Sequence, residues 1–157
     1  MAKGTAERVA RGSRARDPEA DLEWALEYPL DGDIRACVAY LGQLHKRVYR
    51  EPFGYYQIVV DRVVVGGIGF HGPPVDGLVE VGYAVVPLWR GRGVATEALR
   101  RVLDVAAGLD GVYRVCGRAD AGNVASQRVM AAAGMQLVGR DPDFLHYELE
   151  LELTAGA

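Results

Sequence analysis

The spacing of apolar residues changes several times along the chain, and each change marks an element. Between 34 and 48 the apolar positions are 34, 37, 38, 41, 44 and 48, which predicts a helix over 34–47. The preceding Asp31-Gly32-Asp33 is a turn with a capping Asp. At 56–60 and 63–70 β-branched and aromatic residues crowd together on either side of Asp61-Arg62, which predicts a hairpin. Gly72-Pro73-Pro74-Val75-Asp76-Gly77 is a loop on proline and glycine grounds, and 78–86 is a third strand stopped by Pro87. Helical spacing returns at 94, 98, 99, 102, 103 and 106, giving an amphipathic helix over 94–107 that Gly108 closes. Glu97 and Arg101 form an i,i+4 pair on its outer face. A strand follows at 112–118, then a helix capped by Asn123 that runs to Ala133 and ends at Gly134. A strand at 135–139, a turn at Asp141-Pro142 and a strand at 145–153 complete the chain. In the last, apolar residues at odd positions alternate with His146, Glu148, Glu150 and Glu152, so one face is buried.

The beginning of the chain is read less directly. Asp17-Pro18 is a helix start, and that helix runs to 27, before Pro29. Residues 1–16 carry five basic side chains and one acidic one with no apolar run. They are expected to be a flexible basic tail with one short strand at 7–10, ahead of a single domain at 17–157. The element order is (β)-α-α-β-β-β-α-β-α-β-β. The 78–118 unit must be a right-handed parallel crossover, and the remaining connections are hairpins. The sheet is therefore mixed: α/β in content, α+β in layout.

Composition narrows the classes. At 157 residues, 50% hydrophobic and 25% charged, the chain is one globular domain with a full core. Disordered, collagen-like and disulfide-scaffold classes are excluded. A net charge of −3 argues against a general nucleic-acid binder. No uncharged apolar stretch approaches the roughly 20 residues of a membrane span, and the N-terminus does not have the form of a signal peptide. Cys37 and Cys116 fit no metal-ligand pattern and read as buried free thiols in a reducing compartment, so a cytoplasmic location is expected. Sixteen of the eighteen basic residues are Arg, a bias that points to a GC-rich genome.

The segment with chemical content runs from Glu80 to Leu99. There a strand enters the turn Arg90-Gly91-Arg92-Gly93, which opens a helix. A helix N-terminus offers unpaired N–H groups and about half a positive charge, a natural seat for phosphate. Gly91 and Gly93 let the backbone approach an anion closely, and Arg90 and Arg92 add charge. It is not a phosphate loop of the NTPase kind, because Val94-Ala95 follows Gly93 where Lys-Ser/Thr is required. Gly67-Ile68-Gly69-Phe70-His71-Gly72 matches the dinucleotide string but runs into Pro73-Pro74 rather than a helix. Glu80 shares a strand face with Gly82, Ala84 and Val86. A solvent-facing strand charge would explain it. A partly buried carboxylate would instead suit a base for an ammonium substrate. Asn123 is accounted for as a helix cap, and Ser126 as a polar residue of a first helical turn.

Arg90-x-x-Gly93-x-Ala95 after a Val-Val-Pro strand end resembles the acetyl-CoA pyrophosphate loop of the GNAT N-acetyltransferase superfamily. Ala-Thr-Glu-Ala-Leu after it, and Asn123-x-x-Ser126 with Gly134 eleven residues beyond Asn123, resemble the Rim-type branch. The resemblance covers about 57–153; the first 50 residues match only in having two helices. It implies a mixed sheet of six to seven strands flanked by four helices, with a splayed parallel pair holding CoA. It implies acetyl-CoA as acetyl donor, with no metal. Pantetheine would pair with Ala84, Val85 and Val86, and pyrophosphate would sit on the amides of Arg92, Gly93, Val94, Ala95 and Thr96, with Arg90 and Gly91 also binding the cofactor. The thioester would lie near Val85, and Asn123 would add a contact. In the branch a Glu at position 80 is catalytic, and a Ser at 126 contacts the departing sulfur. Other superfamily members use a Tyr seven residues after the Asn, where this chain has Met130. The implied reaction is direct acetyl transfer to a primary amine, on a small molecule or a protein N-terminus. A catalytically silent acyl-CoA-binding module is the alternative. No nucleic-acid or membrane partner is implied, and a homodimer is left open. Acceptor walls would come from 24–56, 71–77 and 140–146, where Asp31, Asp33, Glu51, Asp76 and Asp143 could draw a cationic amine.

Overall fold

Asp61 and Arg62 both adopt positive φ, 47° and 66°, the backbone of a two-residue hairpin whose twist follows that of its strands. The hairpin joins β2 (Tyr55–Val60) to β3 (Val63–Phe70), in register with Tyr55 opposite Gly69 and Val60 opposite Val63. A computed structural model describes residues 1–13 and 21–152. The remaining elements are α1 (Lys3–Ala10), β1 (Glu23–Trp24), α2 (Asp31–His45), β4 (Leu78–Val85), a 3₁₀ turn (Pro87–Trp89), α3 (Val94–Ala107), β5 (Arg114–Asp120), α4 (Val124–Ala132), β6 (Gln136–Arg140) and β7 (Phe144–Glu150). Seven strands form one mixed sheet in the order β1-β3-β4-β5-β7-β6, with β2 on the other edge of β3. The crossover from β4 through α3 to β5 is parallel, as predicted.

Alternation along β3 and β4 assigns the two faces of the sheet. Gly67, Gly69, Gly82 and Ala84 turn toward α2, and Ile68 turns toward α3. Between sheet and helices lies one continuous core. From α3 it takes Leu99, Val102, Leu103 and Ala106, four of the six positions anticipated from spacing; the other two, Val94 and Ala98, are partly buried against it. The Glu97–Arg101 pair on the outer face closes at 2.9 Å. In β5 and β7 the alternation also holds: Val115, Ala119, Leu145 and Tyr147 are buried.

Two expectations for the start of the chain fail. Where a flexible tail with a strand at 7–10 was expected, Lys3–Ala10 is helical, and Thr5, Ala6 and Val9 pack it against α2. Its apolar stripe is only one residue wide per turn and was masked by the surrounding charge. The helix expected over 17–27 is absent from its described part, 21–27; the Asp17-Pro18 start lies outside the described residues. β3 projects beyond the end of β4, which exposes a stretch of edge. Glu23–Trp24 covers it in parallel register, with Glu23 N–H donating to Arg62 O (3.0 Å) and Ala25 N–H to Val64 O (2.9 Å). An open strand edge offers backbone partners that local helix preference cannot foresee. β5 also begins two residues later than expected. Tyr113 and Arg114 both donate to Gly77 O and fix where pairing with β4 starts.

Candidate active site

β4 and β5 pair at three positions only: Leu78 with Arg114, Val79 with Val115 and Glu80 with Cys116. Beyond them β4 stays with β3 as far as Val85, and β5 stays with β7 as far as Asp120. The two strands therefore diverge, and their facing edges are left without strand partners. Val86 N–H donates to Val65 O at 2.9 Å. By the alternation of an antiparallel ladder, the N–H of Val85 then points the other way, into the gap. The Val85 carbonyl accepts from Arg90 Nε at 2.8 Å, tying the turn to the strand end.

A cavity of about 510 Å³ opens between this gap, α3 and α4. Ala84, Val85, Arg90, Gly91, Gly93, Val94, Ala95, Thr96, Asn123 and Ser126 line it. Gly91 and Gly93 are left-handed at φ 71° and 78°, and a Cβ on either would meet no protein atom within 4 Å. Their glycine requirement is thus conformational, and the space above them is open. Gly93 is the N-cap of α3 and brings no side-chain cap, so the first-turn amides keep their donors for the cavity. Two of the expected cofactor residues fall elsewhere. Val86 is fully buried with its N–H committed to β3. Arg92 lies over the Trp89 ring at 5.1 Å and lines a groove between α3 and β2.

Asn123 caps α4 by accepting from Ser126 N–H at 3.1 Å. Ser126 Oγ lies 2.9 Å from the phenol of Tyr83, which also donates to Ser126 O at 3.1 Å. Burial pushes the Tyr83 hydroxyl above its ordinary pKa, opposed by the Ser126 hydrogen bond. Tyr83 was not singled out from sequence, because on a strand it reads as one more buried aromatic. Met130 is buried against Gly117, where a Cβ would meet its methyl at 3.0 Å.

On the α2 face, three cross-strand pairs form a floor that rises toward one end: Gly67 with Ala84, Gly69 with Gly82, and His71 with Glu80. The four small residues leave a cavity of about 530 Å³ beneath α2. Gly67 has a second duty, since a Cβ there would strike the Tyr55 hydroxyl. Tyr55 crosses this space to donate to Asp33 at 2.8 Å, and its hydroxyl also meets that of Tyr28 at 3.1 Å. Asp33 is buried and accepts from Leu30 N–H as well. Of the five carboxylates expected near an acceptor, only Asp33 lines this cavity, and both its oxygens are already engaged. Glu80 accepts from Arg118 Nε at 2.9 Å, with its side chain 31% exposed. It is paired with a guanidinium rather than surrounded by apolar atoms. Arg118 escaped notice in the sequence because its role depends on where β4 and β5 part.

The cavity beneath α2 and the cavity between α3 and α4 share Tyr83 and Ala84. A pocket of about 170 Å³ beside them has both Glu80 and Ser126 in its walls. The candidate site thus combines a divergent parallel pair, a glycine turn at a helix start and a second cavity meeting the first across one strand. The model of the Acetyltransferase (GNAT) domain matches residues 6–136, and the chain belongs to that family. An uncharacterized N-acetyltransferase of Bacillus subtilis (strain 168), YjdG, is 29% identical over 85 residues, 54% of this chain and 51% of that protein. The chain thus matches about half the length of this curated relative. The fold is shared with RimL, a ribosomal L7/L12 α-N-protein acetyltransferase solved with coenzyme A. The two are 15% identical with a TM-score of 0.67, over 98% of this chain and 92% of that one. It is also shared with the Campylobacter jejuni N-acetyltransferase PseH in complex with acetyl coenzyme A, at 17% identity and TM-score 0.61, over 87% and 92%.

Proposed function

We propose that the protein transfers the acetyl group of acetyl-CoA directly to a primary amine, carried by a small molecule or a protein N-terminus. The observation that carries this reading is the meeting of two cavities at Tyr83 and Ala84, one of them floored by the Gly91–Gly93 turn. The α3 amides and Arg90 hold the pyrophosphate. The unpaired edge of β4 takes the pantetheine as an added strand, and the Val85 N–H steadies the oxyanion that forms on attack. Glu80 draws the proton from the amine, directly or through one intermediary. Ser126, held by Tyr83, meets the sulfur as it gains charge. Family membership and the acetyl-CoA or CoA seen in PseH and RimL support the donor assignment.

The test is a thermal-shift titration with acetyl-CoA followed by thiol release over a panel of primary amines. Acetyl-CoA should raise the melting temperature, because a ligand bound by the native state alone stabilises it, while free acetate should not. No shift at millimolar acetyl-CoA would overturn the reading. A shift without thiol release from any amine would leave a silent acyl-CoA-binding module instead.

A further inference from the structure

Hairpin register sets His71 across from Glu80. Its backbone N–H donates to the Glu80 carbonyl at 2.9 Å, and its ring Nδ1 lies 3.4 Å from Glu80 Oε1. That same oxygen accepts from Arg118, so the carboxylate is anchored from β5 while it faces the imidazole. The other ring nitrogen, Nε2, lies over Gly82, where a Cβ would fall 2.5 Å from it. Gly82 is part of the floor of the α2 cavity and adjoins Tyr83, where the two cavities meet. The imidazole is half exposed and open to that cavity.

We propose that His71 is the group that takes the proton from the acceptor amine, with Glu80 behind it as a positioning residue. This rests on the acetyl-transfer reading above. An ionised carboxylate only accepts hydrogen bonds, so its approach favours the tautomer with the proton on the ring nitrogen that faces it. The opposite nitrogen then keeps its lone pair, on the side of Gly82 and the α2 cavity. A neutral imidazole presents one nitrogen as an acceptor beside its N–H donor, and histidine is the side chain most often used as a general base. Nδ1 and Oε1 are 3.4 Å apart, and catalytic hydrogen bonds are often this long in the absence of substrate. The charged groups around the ring are Glu80 from β4, Arg118 from β5, and Asp33 and Arg35 of α2 in the wall of the same cavity.

The step balances as follows. The amine nitrogen forms a bond to the thioester carbon and loses one proton to His71 Nε2. The carbonyl electrons move to oxygen and return, the carbon–sulfur bond breaks, and the thiolate takes one proton from the Ser126 hydroxyl, which regains one from water. The imidazolium returns its proton to water through the open cavity.

His71→Gln should keep the acetyl-CoA thermal shift and lower turnover on the amine panel by about 10²–10⁴. It should also lose the neutral-pH limb of the wild-type rate profile, leaving a rate that climbs only with the free-amine fraction. Glu80→Gln should displace that limb. Nitrogen-detected NMR of the wild type should show the neutral form of His71 protonated on Nδ1 and bare on Nε2. Wild-type turnover and an unchanged pH profile in His71→Gln would overturn the proposal while leaving acetyl transfer intact. So would a proton on Nε2 in place of Nδ1. Absence of transfer by the wild type to any amine would instead sink the acetyl-transfer reading, and with it this one.

Discussion

Gly93→Val separates the anion-binding turn from the fold that carries it. At φ 78° a β-branched residue is in left-handed backbone, which costs about 1–2 kcal/mol. No steric term adds to this, because a Cβ at Gly93 meets nothing within 4 Å. Against the total of about 5–15 kcal/mol typical of a domain, the variant should remain folded. At roughly 2–4 °C per kcal/mol for a chain of this size, its melting temperature without ligand should fall by about 2–8 °C. Relief of the strain would rotate the α3 first-turn amides, and the new isopropyl group would occupy the space above them. Losing two charge-assisted hydrogen bonds, at about 1.5–3 kcal/mol each, weakens acetyl-CoA by about two to four orders of magnitude. The assay is the thermal shift at a concentration that saturates the wild type. One hundred times the dissociation constant gives about 2.7 kcal/mol of stabilisation, and the variant should show almost none of it. Gly111→Val is the matched control. Its φ is 79°, its Cβ position is also empty, and it lies outside the cavity, so it should lose the same stability and keep the full shift. An undiminished shift in Gly93→Val would refute the assignment of the turn.

Glu80→Gln should lower turnover by about 10²–10⁴ with little change in acetyl-CoA affinity; undiminished turnover at pH 7 would remove Glu80 from the reaction. Ser126→Ala should cost about 10-fold in turnover, a modest loss because thiols, with pKa near 8–9, leave readily without an acid. Steady-state kinetics that place the Ser126 loss in the Michaelis constant for the amine would contradict a role at the sulfur. Desolvation holds the Asp33 carboxyl above its ordinary 3.8, against lowering by the Leu30 and Tyr55 hydrogen bonds. The native state therefore binds this proton more tightly than the unfolded chain. Its contribution is complete below pH 3.8 and is lost as pH rises through the raised value. Urea unfolding at stepped pH should show wild type losing stability relative to Asp33→Asn across that window, and a relative gain would reverse the assignment.

Much of this protein follows from local rules. Two-residue alternation and three-to-four spacing depend only on which face of a strand or helix is dry, so 55–150 was legible element by element, within about two residues at most ends. The glycine turn was legible too, because left-handed backbone at positions 91 and 93 leaves a chemical mark in the sequence. Contacts between distant segments decided the rest. Glu23–Trp24 is a strand because β3 outruns β4, and Lys3–Ala10 is a helix because α2 offers its narrow stripe a partner. Glu80 and Ser126 were recognisable as candidates, but what surrounds them was not. His71 faces Glu80 through hairpin register, Arg118 reaches it from a strand that has begun to diverge, and Tyr83 meets Ser126 across the gap this leaves. Residue type and spacing record the preference of a short segment for one backbone shape and one buried face. Which side chains then converge depends on register and on where two strands part, and those are set by the packing of the whole sheet against its helices.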